Sequence, residues 1–121
     1  MPLLLDDVAQ RHPELPIVIE HVGGIAFFDQ ALAVLHNNPN CYVGLTQCSG
    51  RDPKYHLAPE RVRLLLDTVG PQRIIYGLDY PWNARNSDAL RHDLEWVRSW
   101  DISDEDKERI LGGNLESLVR R

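Results

Sequence analysis

The chain has little of what marks several protein classes. Only two cysteines, Cys41 and Cys48, occur among its 121 residues. They read as one strand and its exit, so no extracellular disulfide framework is expected. No apolar run approaches the roughly 20 residues that cross a bilayer. The leading run, Pro2 to Leu5, meets Asp6 and Asp7 at once and is too short for a signal peptide. A cytoplasmic, reduced protein is expected. Basic residues are in the minority, 13 against 18 acidic, for a net charge of −5. They are scattered, which argues against a nucleic-acid footprint and a polybasic membrane patch. GxGxxG and Walker spacings are absent, and Gly23-Gly24 reads as a tight turn rather than a phosphate cradle.

What is present is ordinary globular material, 43% hydrophobic and 26% charged, of a length that suits one domain spanning 1–121. Leu4, Leu5 and Val8 predict a helix over 3–11, stopped at His12-Pro13. Ile17-Val18-Ile19 is a short apolar strand ending in Glu20-His21. A helix is predicted from about Phe28 to His36, ended by Asn37-Asn38-Pro39-Asn40. Cys41 to Leu45 is a second strand. A longer loop, Thr46 to Ala58, leads to a helix with Pro59 in its first turn and Val62, Leu65, Leu66 and Val69 on one face. Gly70-Pro71 stops that helix. Arg73 to Tyr76 is a third strand. Ser87 suits the start of a helix whose buried stripe is Leu90, Leu94 and Val97. Ser103 to Asp106 resembles a capping box opening a short helix. That helix is expected to end at Gly112-Gly113, with Asn114 capping a last turn.

Strands that are apolar throughout and separated by helices indicate an α/β fold. The expectation is a parallel three-stranded sheet, covered on both faces and built by right-handed crossovers. In such a sheet all strand C-termini lie at one edge. His21 leaves the first strand and Asp79 follows the third, in Ile74-Ile75-Tyr76-Gly77-Leu78-Asp79-Tyr80-Pro81-Trp82. Both are therefore expected at one crevice, two strands apart, or roughly 10 Å at about 4.8 Å per strand. Histidine and aspartate are metal ligands and acid–base groups. The plainer readings are a hydrogen-bonded structural histidine and a turn-capping aspartate.

Ile19-Glu20-His21-Val22-Gly23-Gly24 and Arg73 to Pro81 resemble motifs of the amidohydrolase 2 family, metal-dependent TIM-barrel hydrolases and decarboxylases. Pro39 to Leu45 resembles its seventh strand, and Ile110 to Leu118 its closing helix. The resemblance implies that Asp79 binds the divalent metal, expected to be zinc, or orients its water. It also implies that His21 moves a proton or polarises the substrate. The reaction implied is hydrolysis or decarboxylation of a small carboxylate or lactone-like substrate. Arg51, in the loop over the crevice, suits a substrate carboxylate, with surface solvation as the alternative. Trp82 suits a pocket wall or core packing.

The family's HxH pair and fifth-strand histidine have no counterpart among His12, His21, His36, His56 and His92. A barrel of this kind takes about 250 residues. The chain thus resembles a C-terminal half-barrel, units six to eight, about half of a TIM (β/α)8 barrel. One carboxylate and one histidine fall short of the three protein ligands of a catalytic zinc site. Exposed sheet edges invite pairing, with a homo-oligomer or a separate N-terminal half as the expected partner. The alternative is a non-catalytic remnant or pairing subunit.

Overall fold

Three short strands set the frame, each too apolar to stand uncovered. The computed structural model describes residues 1–81 and 87–120. Its elements are α1 (Leu4–Arg11), β1 (Ile17–Ile19), α2 (Gly24–Asn37), β2 (Cys41–Gly44), α3 (Pro59–Val69), β3 (Ile74–Ile75), α4 (Ser87–Arg98), α5 (Asp104–Glu108) and α6 (Asn114–Val119). The sheet order is β1-β2-β3, all parallel, with Ile19 opposite Val43 and Val43 opposite Ile74. The α/β reading with a three-stranded parallel sheet holds. Among the described residues no helix is long and apolar enough to cross a membrane.

Alternation along the strands divides the sheet's faces. Ile19, Cys41, Val43, Leu45 and Ile74 join one core cluster with Phe28, Leu35, Leu65, Val97 and Ile110 from the helical layer. Tyr42 and Ile75 are buried but fall outside that cluster, on the other face. There the polar Glu20 and Thr46 and two glycines, Gly44 and Gly77, crowd together.

Three expected details change. The face of α1 expected inside is largely exposed: Ala9 is buried, whereas Leu4 and Val8 face solvent. The buried stripe of α4 is Ala89, Asp93 and Val97, rotated away from Leu90 because Asp93 has partners inside. Gly112-Gly113 does not end a helix. A π turn over Arg109–Gly113 carries the helical path from α5 into α6. Asn114 is not a cap there but donates through Nδ2 to the carbonyls of Pro71 (2.7 Å) and Ile74 (2.8 Å).

The N-terminal end of the sheet is stitched by side-chain donors on backbone carbonyls. Arg73 Nη1 donates to Leu35, Asn38 and Cys41 at 3.0, 2.9 and 3.2 Å. Asn40 Nδ2 donates to Ala9, His12 and Leu15 at 3.2, 3.0 and 3.0 Å, fixing the exit of α1. Asn38, buried, donates to Asp6 Oδ1 and to the Val34 carbonyl. Each satisfies a group that would otherwise cost free energy on burial. The Ser103 cap on α5 is as expected: its Oγ accepts from the Asp106 amide at 3.1 Å.

Candidate functional site

The opposite end of the sheet is built differently. After each strand the chain turns through residues in the left-handed region. The non-glycine residues with positive φ among the described residues are His21 (55°), Val22 (48°), Gln47 (62°) and Asp79 (63°). All four follow strand C-termini, one cluster per strand. Left-handed backbone costs an L-residue about 1–2 kcal/mol, and β-branched Val22 is an outlier by any standard. Such strain gathers where surrounding structure fixes a residue for a purpose.

The rim is tied together across the strands. His21 Nδ1 lies 2.8 Å from the Thr46 carbonyl oxygen. A carbonyl only accepts, so Nδ1 carries the proton, and in the neutral ring Nε2 keeps the lone pair. The ring stacks on Tyr55, with centroids 4.2 Å apart and planes 22° from parallel. The next residue, Gln47, donates through Nε2 to Asp79 Oδ2 at 2.5 Å. His21 and Asp79 are thus joined to consecutive residues at the exit of β2. Both are half-buried.

Beside them, Thr46 Oγ1 donates to Glu20 Oε2 at 2.8 Å. Two glycines make room for this pair. A Cβ on Gly44 would fall 2.5 Å from Glu20 Oε2, and one on Gly77 would fall 2.6 Å from Thr46 Oγ1. Glu20, Thr46, Gln47 and Tyr55 were not singled out from sequence, although Glu20 stands beside His21 in the same motif.

Arg51 has bidentate geometry, but toward a carboxylate of this chain. Its Nε and Nη2 donate to Asp93 Oδ1 and Oδ2 at 2.9 and 2.8 Å. Asp93, only 2% exposed, also accepts from Ser49 Oγ (2.5 Å) and Tyr76 Oη (3.4 Å). The loop after β2, the exit of β3 and α4 are thereby locked to one buried anion. Burial, then Asp93, pushes the Tyr76 hydroxyl up to about 12. Burial, with Glu20 and Asp93 adding to it, pushes the Cys48 thiol up to about 12. A thiol so held is no nucleophile near neutral pH. His92 is exposed, with Nδ1 3.2 Å from Ser49 Oγ, and His56 is exposed. Trp82 lies outside the described residues.

For a metal ion the fit is partial. A histidine whose Nδ1–H is held by a backbone carbonyl and a carboxylate oriented by an amide are the usual form of metal ligands with their supporting bonds. Yet no group of three or more His, Cys, Asp or Glu suited to a metal occurs among the described residues. The described residues by themselves supply too few donors for a catalytic ion.

A family model described as amidohydrolase matches residues 1–121. No curated protein matches the chain. An amidohydrolase from Burkholderia multivorans, solved with bound zinc, superposes with a TM-score of 0.66 at 22% identity, over 93% of this chain and 46% of that one. A second crystal form of that amidohydrolase, with bound HEPES, gives 0.64 at 23% identity, over 93% and 47%. Amidohydrolase 2 from Bifidobacterium longum subsp. infantis gives 0.62 at 25% identity, over 96% and 45%. The chain therefore spans about half the length of these structures, as a partial TIM barrel does.

Proposed function

Since the chain belongs to the amidohydrolase family, we propose that it is the C-terminal half of a metal-dependent hydrolase or carboxy-lyase, with His21 and Asp79 at the reacting centre. The observation that carries this reading is the set of left-handed strand exits, His21, Gln47 and Asp79, gathered at one rim. Asp79 would hold the ion, its carboxylate oriented by the Gln47 amide. The other donors come from outside the described residues. A divalent ion, zinc by analogy with the Burkholderia protein, supplies Lewis acidity when bound.

The remaining steps belong to this chain's own groups. His21 takes a proton at Nε2, because its Nδ1–H is committed to Thr46. The imidazolium so formed keeps that hydrogen bond and its stack on Tyr55, so the ring need not reorient to return the proton. Both hydrolysis of a lactone-like bond and protonation after loss of CO2 need such a shuttle. We assign Arg51 to holding the loop after β2 through Asp93.

The test is a chimera: the first half of the Burkholderia multivorans amidohydrolase fused to this chain, loaded with zinc, and assayed on a panel of lactones and small carboxylates. Asp79→Asn should lower zinc content as well as kcat. His21→Ala should keep zinc and lose at least about 100-fold in kcat. A folded, zinc-loaded chimera that turns nothing over favours the non-catalytic remnant. An active one indifferent to Asp79→Asn overturns the assignment.

A further inference from the structure

The two faces of the sheet differ in chemistry. The helix-covered face is apolar. The opposite face, the inner one of a barrel, carries Tyr42 and Ile75 and then turns polar toward the rim. Gly44 pairs with Ile75, and one step beyond the Ile19–Val43 pair sets Glu20 beside Gly44. The Glu20 carboxylate lies over that glycine: a Cβ there would fall 2.5 Å from Oε2 and 2.7 Å from Oε1. Barrel interiors are filled mainly by branched apolar side chains. A carboxylate laid across the middle strand therefore calls for a reason.

Glu20 is exposed, and its Oε2 accepts from Thr46 Oγ1 at 2.8 Å. Among the described residues no arginine, lysine or histidine forms an ion pair with it. A carboxylate has about four acceptor positions, so one hydroxyl leaves most of them open. Thr46 has a second tie, since its carbonyl takes the Nδ1–H of His21, and the next residue, Gln47, holds Asp79. One dipeptide thus fixes Glu20, His21 and Asp79 together. The three do not form one metal site, because no three such side chains suited to an ion occur among the described residues. Glu20 is left facing the hollow beside the reacting centre, with its charge uncompensated.

We propose that Glu20 is a specificity-determining residue: it takes an ammonium group at the non-reacting end of the substrate and turns away a carboxylate at that position. An N–H donor on a cation gives the free oxygen a charge-assisted hydrogen bond. A carboxylate placed there would meet two anions, Glu20 and Asp79, in a hollow where charges are poorly screened. A substrate whose carboxylate is itself the reacting group stays admissible, since that end faces the metal. The inference rests on the reading of the rim as the reacting centre and adds which chemistry the inner face selects.

The test has two arms. The first uses the chain itself, with benzylammonium, benzyl alcohol and benzoate as probes, followed by the amide shifts of Gly44, Thr46 and Gly77. Benzylammonium should shift these amides to saturation and bind about tenfold or more tighter than the other two. Glu20→Gln keeps an oxygen for Thr46 Oγ1 but removes the charge, and should erase the preference. Asp79→Asn should reduce it less. The second arm uses the zinc-loaded chimera on matched substrates that carry an amine or a carboxylate away from the reacting bond. There Glu20→Gln should narrow the ratio of kcat/KM values about tenfold, mainly through KM, a change that a merely structural role would not give. Equal binding of benzylammonium and benzoate to the chain overturns the proposal, whatever the chimera does. So does a preference that survives Glu20→Gln, or one that benzyl alcohol shares. A chimera that binds the probes in the expected order but turns nothing over counts against the catalytic reading and leaves this one standing.

Discussion

Removing the Arg51 guanidinium should be the most destabilising single change near the rim. In Arg51→Ala, Asp93 loses two charged hydrogen bonds, at 2.9 and 2.8 Å, while remaining buried. Breaking a buried ion pair from one side costs about 3–5 kcal/mol. Two features move this toward the low end. The Arg51 side chain is 21% exposed, and Ser49 Oγ still donates to Asp93 at 2.5 Å. A loss of about 3 kcal/mol is expected. At a urea slope of about 1.5 kcal/mol/M for a small domain, the midpoint falls by about 2 M. The control is the double variant Arg51→Met/Asp93→Leu, which removes both charges and should recover most of the loss, since apolar replacements of buried pairs are often neutral. The assay is urea unfolding followed by tryptophan fluorescence and far-UV circular dichroism. A loss below about 0.5 kcal/mol in Arg51→Ala would refute the locking role. So would a double variant as unstable as the single one, because the penalty would then not come from a stranded anion.

Two further predictions concern stability. Asn114→Ala strips a donor from the carbonyls of Pro71 and Ile74 and should cost about 1–2 kcal/mol by urea unfolding, with faster amide exchange at the neighbouring Tyr76. Cys48 gives an alkaline signature. Its folded pKa is raised from 9.0 to about 12, so its contribution to stability is complete below pH 9 and is lost as pH rises toward 12. At about 1.4 kcal/mol per unit this loss is on the order of 4 kcal/mol, and Cys48→Ala should flatten that limb of the stability curve relative to wild type.

How much of this was legible in the sequence follows from the reach of each interaction. β1 was readable because Ile17 to Ile19 are apolar and β-branched between Pro16 and Glu20. The Ser103 cap was readable because its partner is three residues away. In the stripe of α4 Val97 was placed correctly, but Leu90 and Leu94 stood one position off Ala89 and Asp93 because hydrophobic periodicity treats Asp93 as a surface residue. Arg51 and Ser49, more than forty residues earlier, and Tyr76 make its burial tolerable. Gly112-Gly113 looked like a stop by composition. The helical path continues there because Ile110 and Asn114 are held against β3, a tertiary constraint no local rule contains. At the rim, His21 and Asp79 could be paired from topology alone. Gln47 and Tyr55 could not, since nothing in an ordinary loop sequence announces a left-handed glutamine or a stacking tyrosine.

The two ends of the sheet then explain one another. Left-handed His21, Val22, Gln47 and Asp79 each hold a conformation that the isolated chain disfavours, so together they oppose folding by several times the roughly 1–2 kcal/mol of one such residue. The rim's own bonds from His21 and Gln47 are few, each worth on the order of 1 kcal/mol net. They cannot hold those conformations unaided. The compensation comes from the remote end, where Arg73, Asn38 and Asn40 place donors on backbone carbonyls. A strained rim on a stitched base is what a sheet needs if its strand exits are to be fixed by the scaffold before any ligand arrives.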